Sequence, residues 1–262
     1  MTILPEFLII EVCVDSVESA ISATRAGADR LEVCANLGAG GGTTPTVGLV
    51  KSIQRAVDLP LMVMIRPRTG DFLYSNKELD VILEDVKTFK ELGNIRGFVV
   101  GALTKDGHVD IERMKIIVDE ILPLEGMTST THPLTFYSKL LLLHGHCAQA
   151  PQGLSVLQKL FNRRKELVED DIWGLTVMPG SGVNGKTLPA LLKSLLPLGL
   201  REIHLSGGRW VPSTMSFKRD GMGMGINPST EWEVWCTQAD EVQNVRRICD
   251  IMWQDFIATI EN

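Results

Sequence analysis

Phe7 to Val14, FLIIEVCV, and Ala28 to Cys34, ADRLEVC, decide the fold. Each is a short run with the two-residue period of a strand. In the first, Ile10, Val12 and Val14 share one face, while Glu11, Cys13 and Asp15 share the other. In the second, Leu31 and Val33 oppose Glu32 and Cys34. Between them, Ser16 is placed to cap VESAISATRAG, which is apolar at helical spacing and stops at Gly27. Strand, helix, strand is a βαβ unit, whose two strands run parallel. A parallel strand covered by helices on both sides is apolar on both faces. These two strands are aliphatic on one face only, and the other carries carboxylates and thiols.

The unit recurs downstream. In Pro60 to Arg66 (PLMVMIR), Leu61, Val63 and Ile65 oppose Met62, Met64 and Arg66. Gly97 to Leu103 and Trp173 to Met178 read as further strands. In Arg201 to Ser206, Ile203 and Leu205 oppose Glu202, His204 and Ser206. Helices are expected from Pro45 to about Val57, Asn76 to Leu92, Asp110 to Leu122, Lys186 to Leu198 with a break near Pro189, and Gln238 to Ile260. No linker or shift of composition divides the chain, so residues 1–262 read as one domain. A single α/β domain of this length is expected to be a (β/α)8 barrel of the TIM type, with an open doubly wound sheet as the alternative. Ionisable residues near strand C-termini are what a functional barrel mouth requires.

Charge narrows the function. With 26 Lys and Arg against 32 Asp and Glu the net charge is -6, which argues against nucleic acid or an anionic membrane surface as partner. No apolar run approaches the roughly 18 residues of a spanning helix. The start, MTILPEF, lacks the basic region of a secretory signal. Five cysteines at irregular spacing do not make a disulfide framework, so a reducing cytoplasm is expected.

Two constellations carry chemistry. Cys13 and Cys34 each end a strand, each two residues after a glutamate. Consecutive βα strands lie side by side, which brings both thiols to one pocket. With neighbouring methionine thioethers or His204 they make a soft site suited to Cu(I) or zinc. Buried free cysteines also serve as small hydrophobes. The rival constellation is Glu11 and Glu32, two inward carboxylates whose like charges raise one pKa and suit acid and base work. Arg66 or His204 would then hold an anionic substrate; the plainer reading is a satisfied salt-bridge network. Two glycine-rich turns follow late strands and are candidate backbone cradles for an anion or phosphate: Gly180, Ser181 and Gly182, then Ser206, Gly207 and Gly208. Arg68, beside Arg66 in RPRTGDF, either adds anion contacts or braces the rim.

EVCVDSVESA (Glu11 to Ala20), GADRLEVCANL (Gly27 to Leu37) and GGTTPTVGLV (Gly41 to Val50) resemble the CutC copper homeostasis family. So do MIRPRTGDFLYS (Met64 to Ser75), GFVVGALTKDGHVD (Gly97 to Asp110), VMPGSGVN (Val177 to Asn184) and EIHLSGG (Glu202 to Gly208). The resemblance implies a cytoplasmic βα barrel, with the nucleus also open, that is a homo-oligomer and is linked to copper handling. The cysteines proposed as Cu(I) ligands in that family fall on Cys13 and Cys34. A polar barrel mouth keeps a second reading open, an enzyme acting on a small anionic or phosphorylated metabolite.

The chain departs from that family's pattern after Phe136. A TFHRAFD-like strand end is expected there, yet LTF (Leu134 to Phe136) runs into Tyr137 and on into YSKLLLLHGHCAQAPQGLSVLQKLF. About two dozen residues are lacking, roughly one unit's helix and loop, and parallel neighbours cannot be joined by so short a crossover. One βα helix is therefore expected to be missing or distorted around residues 137–150, leaving the barrel open or strained.

Overall fold

The alternating runs are strands of one parallel sheet. The computed structural model describes residues 7–122, 141–143, 147–168, 176–219 and 221–261. Strand β1 (Ile9–Val14) leads through α1 (Val17–Arg25) to β2 (Arg30–Val33), then α2 (Val47–Ala56), β3 (Leu61–Met64), α3 (Asn76–Leu92), β4 (Gly97–Val99) and α4 (Ile111–Ile121). Beyond lie β5 (Leu141–Leu143), α5 (Leu154–Val168), β6 (Val177–Pro179), α6 (Leu188–Leu195) and β7 (Glu202–Leu205). An antiparallel hairpin, β8 (Gly208–Pro212) with β9 (Glu233–Thr237), precedes the closing helix α7 (Ala239–Glu261).

Side chains fix the helix starts. The Ser16 hydroxyl accepts the Ser19 amide at 3.1 Å to open α1, and Ser75 with Glu78 forms a reciprocal capping box on α3. Thr46 caps α2, so that helix begins at Val47 and not at Pro45. Pro189 sits in the first turn of α6, where its missing amide is no loss; it opens that helix instead of breaking it.

The five-stranded sheet has the order β4-β3-β2-β1-β7 and is parallel throughout. β6 packs alongside β7 and pairs in parallel with β5. This is the order of a wound βα barrel. Among the described residues no ladder joins β5 to β4, so the barrel is not closed there. The gap flanks the segment in which a helix was expected to be missing. Leu134 to Phe136, residues 137–140 and residues 144–146 lie outside the described residues; residues 147–153 are turns leading into α5.

The aliphatic strand faces meet the helices. Ile10, Val12, Leu31, Val33, Val63 and Ile203 are buried in one core with Ala20 and Ala23 of α1, Val50 and Ile53 of α2, and Ile82, Val86 and Phe89 of α3. Each such aliphatic contributes about 1.5–3 kcal/mol by leaving water. That preference sets which face of each strand turns outward, and so sends Glu11, Cys13, Glu32 and His204 inward.

The hairpin is the element that sequence periodicity does not announce. Gly208, expected in a loop, is the first residue of β8 and pairs with Thr237. A side chain at Gly208 would meet the Trp235 indole at 2.6 Å, so only glycine fits beneath that ring. Trp210 and Trp235 pack edge to face across the hairpin, their centroids 5.7 Å apart.

Candidate metal centre

Register determines which inward side chains meet. Cys13 lies opposite Glu32 across the β1–β2 ladder, and Glu11 lies opposite Arg30 on one side and His204 on the other. Cys34, two residues beyond Glu32, is diagonal to Cys13. Their sulfurs are 3.5 Å apart, both free and both buried. Met64 packs with the two cysteines, making a cluster of three sulfur-bearing side chains. Gly42 lets the chain pass close above it, at φ +95°. A Cβ there would come within 2.9 Å of the Met64 sulfur and 3.1 Å of the Cys34 Cβ.

Beneath the sulfurs is a charged layer. Arg30 bridges two buried carboxylates, donating from Nε to Glu11 and from Nη2 to Glu202 at 2.9 Å. Glu11 also lies 2.9 Å from His204 Nδ1, while His204 Nε2 faces a Glu32 oxygen at 3.5 Å. The other Glu32 oxygen, Oε1, is buried and has no hydrogen-bond partner. Ligand atoms of Cys13, Glu32 and His204 all lie within 4.8 Å of one another.

The surroundings push these groups apart in pKa. Burial alone would raise Glu11, but its hydrogen bond to His204 and the charge of Arg30 outweigh that and hold it at about 2. Burial raises Glu32 and the negative Glu11 adds to the rise; the pull of His204 offsets it only in part. Burial opposes charge on His204, yet the Glu32 charge and the Glu11 hydrogen bond carry its pKa above the ordinary imidazole value. The hydrogen bond with Cys34, then burial, then the Glu32 charge raise Cys13 well above the usual thiol range. Without an ion the thiol keeps its proton, so a metal that binds it must expel that proton.

The candidate residues separate into two kinds. Cys13, Glu32, His204 and Arg66 line one cavity of about 1880 Å³, and so do Gly180–Gly182 and Ser206–Gly208. Glu11 sits below, behind His204. Arg66 serves the backbone: it donates to the carbonyls of Gly40, Gly42 and Gly70, each at 2.8 Å, and stacks over Phe72. Arg68 is a rim brace, its donors turned to Glu78, Asp71 and the Leu73 carbonyl. Ser181 donates its hydroxyl to the Ala148 carbonyl at 2.9 Å. Sequence reasoning missed Arg30 and Glu202 as site residues. The signal was available for Arg30, which stands two residues before Glu32 on the same strand face.

Comparison with known proteins converges on one family. Residues 8–209 match the model described as the CutC family. A human protein named copper homeostasis protein cutC homolog is 35% identical over 253 residues, spanning 92% of this chain and 88% of its own length. The family protein CutC of Pasteurella multocida is 33% identical over 252 residues, covering 90% of this chain and 97% of that protein. Among solved structures, that of the CutC protein from Streptococcus agalactiae superposes with a TM-score of 0.60 at 23% identity. It covers 76% of this chain and 98% of its own, a likeness of fold.

Proposed function

Because this chain belongs to the CutC family, we propose that it serves copper homeostasis by binding Cu(I) as cargo through Cys13 and Cys34, with the Met64 thioether beside them. The observation that carries this reading is the 3.5 Å between the two sulfurs. Metal–thiolate bonds of about 2.3 Å, as for zinc, let one ion join sulfurs up to about 4.6 Å apart. Thiolate and thioether donors are the soft set that Cu(I) prefers. The test is an anaerobic Cu(I) titration against a competing chelator, comparing the wild type with Cys13→Ala and Cys34→Ala. Loss of affinity in both variants is expected, and unchanged affinity in both removes the thiol site.

Five free cysteines and the absence, among the described residues, of any helix long and apolar enough to cross a membrane support action in the cytoplasm. A homo-oligomer is part of the same proposal, and light scattering tests it: a mass of one chain in solution would count against it. An enzyme acting on a small anionic or phosphorylated metabolite is the second reading. It is favoured by one observation, the partnerless Glu32 oxygen in a cavity bordered by both glycine-rich turns. A thermal-shift screen of phosphate-bearing metabolites tests it, and no stabilisation by any of them counts against it.

A further inference from the structure

We propose that Cys13, Glu32 and His204 form a second ligand set in the same pocket, one that takes a divalent ion of the zinc class and leaves one coordination position open to the cavity. It shares Cys13 with the copper pair, but its other two donors, Glu32 and His204, are different, and it does not rest on the copper reading. One ligand atom from each residue lies within 4.8 Å of the other two, and all three residues are buried. Thiolate, carboxylate and imidazole are the three donor types that zinc uses. A mixed set of this kind suits a borderline ion better than the sulfur-seeking Cu(I).

Three details favour an ion over a salt bridge. Glu32 Oε1 is buried without a partner. The gap of 3.5 Å between His204 Nε2 and Glu32 Oε2 is long for a hydrogen bond. It is close to the roughly 3.3–3.4 Å that tetrahedral geometry gives two donors bound at about 2.0–2.1 Å. Finally, Glu11 receives His204 at Nδ1 and Arg30 holds Glu11 from behind. A carboxylate on the far nitrogen is the arrangement that orients a metal-bound imidazole. Three protein ligands with a fourth position kept for water or substrate is the pattern of catalytic zinc. All three residues line the cavity, so that position is reachable by water or by an anionic oxygen of a small ligand.

The experiment titrates the reduced full-length protein with Co(II), the spectroscopic stand-in for Zn(II), under argon. One equivalent is expected to give a thiolate-to-cobalt charge-transfer band and the intense visible bands of a four-coordinate ion, both displaced by Zn(II). Glu32→Gln and His204→Gln are expected to weaken binding at least about tenfold, and Cys13→Ser to abolish the charge-transfer band. Cys34→Ser is expected to keep both the charge-transfer band and the four-coordinate visible bands, with any change of affinity coming only through the lost Cys34 hydrogen bond to Cys13. Cu(I) titrations on the same proteins should invert the pattern, failing in Cys34→Ser and surviving in His204→Gln. The wild type decides the matter should a variant not fold. X-ray absorption of its Zn(II) form must show a single sulfur among nitrogen and oxygen donors. Two or more sulfurs, no charge-transfer band, or bands that depend on Cys34 and not on His204 would overturn the proposal.

Discussion

Cys13 and Cys34 stand 21 residues apart in sequence and bring their sulfurs to 3.5 Å. The approach follows from the β1–β2 register, which sets Cys13 against Glu32 and therefore diagonal to Cys34. Both thiols are enclosed, Cys34 completely so.

Enclosure predicts an order of reactivity. Cys147 and Cys236 are part-exposed, while Cys13, Cys34 and Cys249 are buried, with burial pushing Cys249 up to about 12. Thiolate is the reactive form. Intact-mass analysis during iodoacetamide treatment should give two early additions on the native protein and five only after unfolding. Early modification of Cys13 or Cys34 would mean that burial does not shield these two thiols from the reagent.

Gly42 guards the sulfur cluster. Gly42→Ala pays for a left-handed backbone and also presses on Met64 and Cys34. Gly107, at φ +78° with nothing within 4 Å of an added Cβ, pays the backbone cost alone. Each substitution should cost about 1 kcal/mol or more in urea unfolding. Only Gly42→Ala should weaken Cu(I), which a chelator competition reads directly. Equal Cu(I) affinities in the two variants would remove the packing argument.

Arg30 neutralises two buried carboxylates. Arg30→Met removes the cation that bridges Glu11 and Glu202, and should cost about 3–5 kcal/mol in a denaturant titration. A loss under about 1 kcal/mol would show that the network does not hold the layer.

Glu11 supplies a pH signature. Its folded pKa, about 2, lies below the ordinary 4.5. Its contribution is therefore complete above 4.5 and is lost as pH falls from 4.5 toward 2. Glu32 has the opposite sign, since its pKa is raised, so total stability hides the effect. The difference between wild type and Glu11→Gln isolates it. That difference should shrink steadily between pH 4.5 and pH 2.5 in urea midpoints, and a pH-independent difference would contradict the assignment.

Much of this architecture was readable in β1 and β2, because one-sided alternation fixes both the strand and the face it turns inward. Glu11, Cys13, Glu32, Cys34 and His204 were legible for that reason. Arg30 was overlooked because a lone arginine at a strand start is usually solvated, and its partner Glu202 lies 172 residues away. The hairpin escaped because GRWVP has no alternation and ends in proline, and its pairing with EVWCT spans a long excursion. Arg66 and Arg68 resembled anion ligands by charge alone. Only coordinates reveal that three carbonyls take the Nη donors of Arg66 while its buried Nε has no partner, and that Arg68 is turned to Glu78, Asp71 and the Leu73 carbonyl.

The most direct test of the account is copper-edge X-ray absorption on the anaerobic protein loaded with one equivalent of Cu(I). A first shell of sulfur alone, supplied by Cys13 and Cys34 with or without Met64 and lost in the Cys13→Ser, Cys34→Ser double variant, is the predicted result. A shell of nitrogen and oxygen, or a sulfur shell that survives the double substitution, would contradict it.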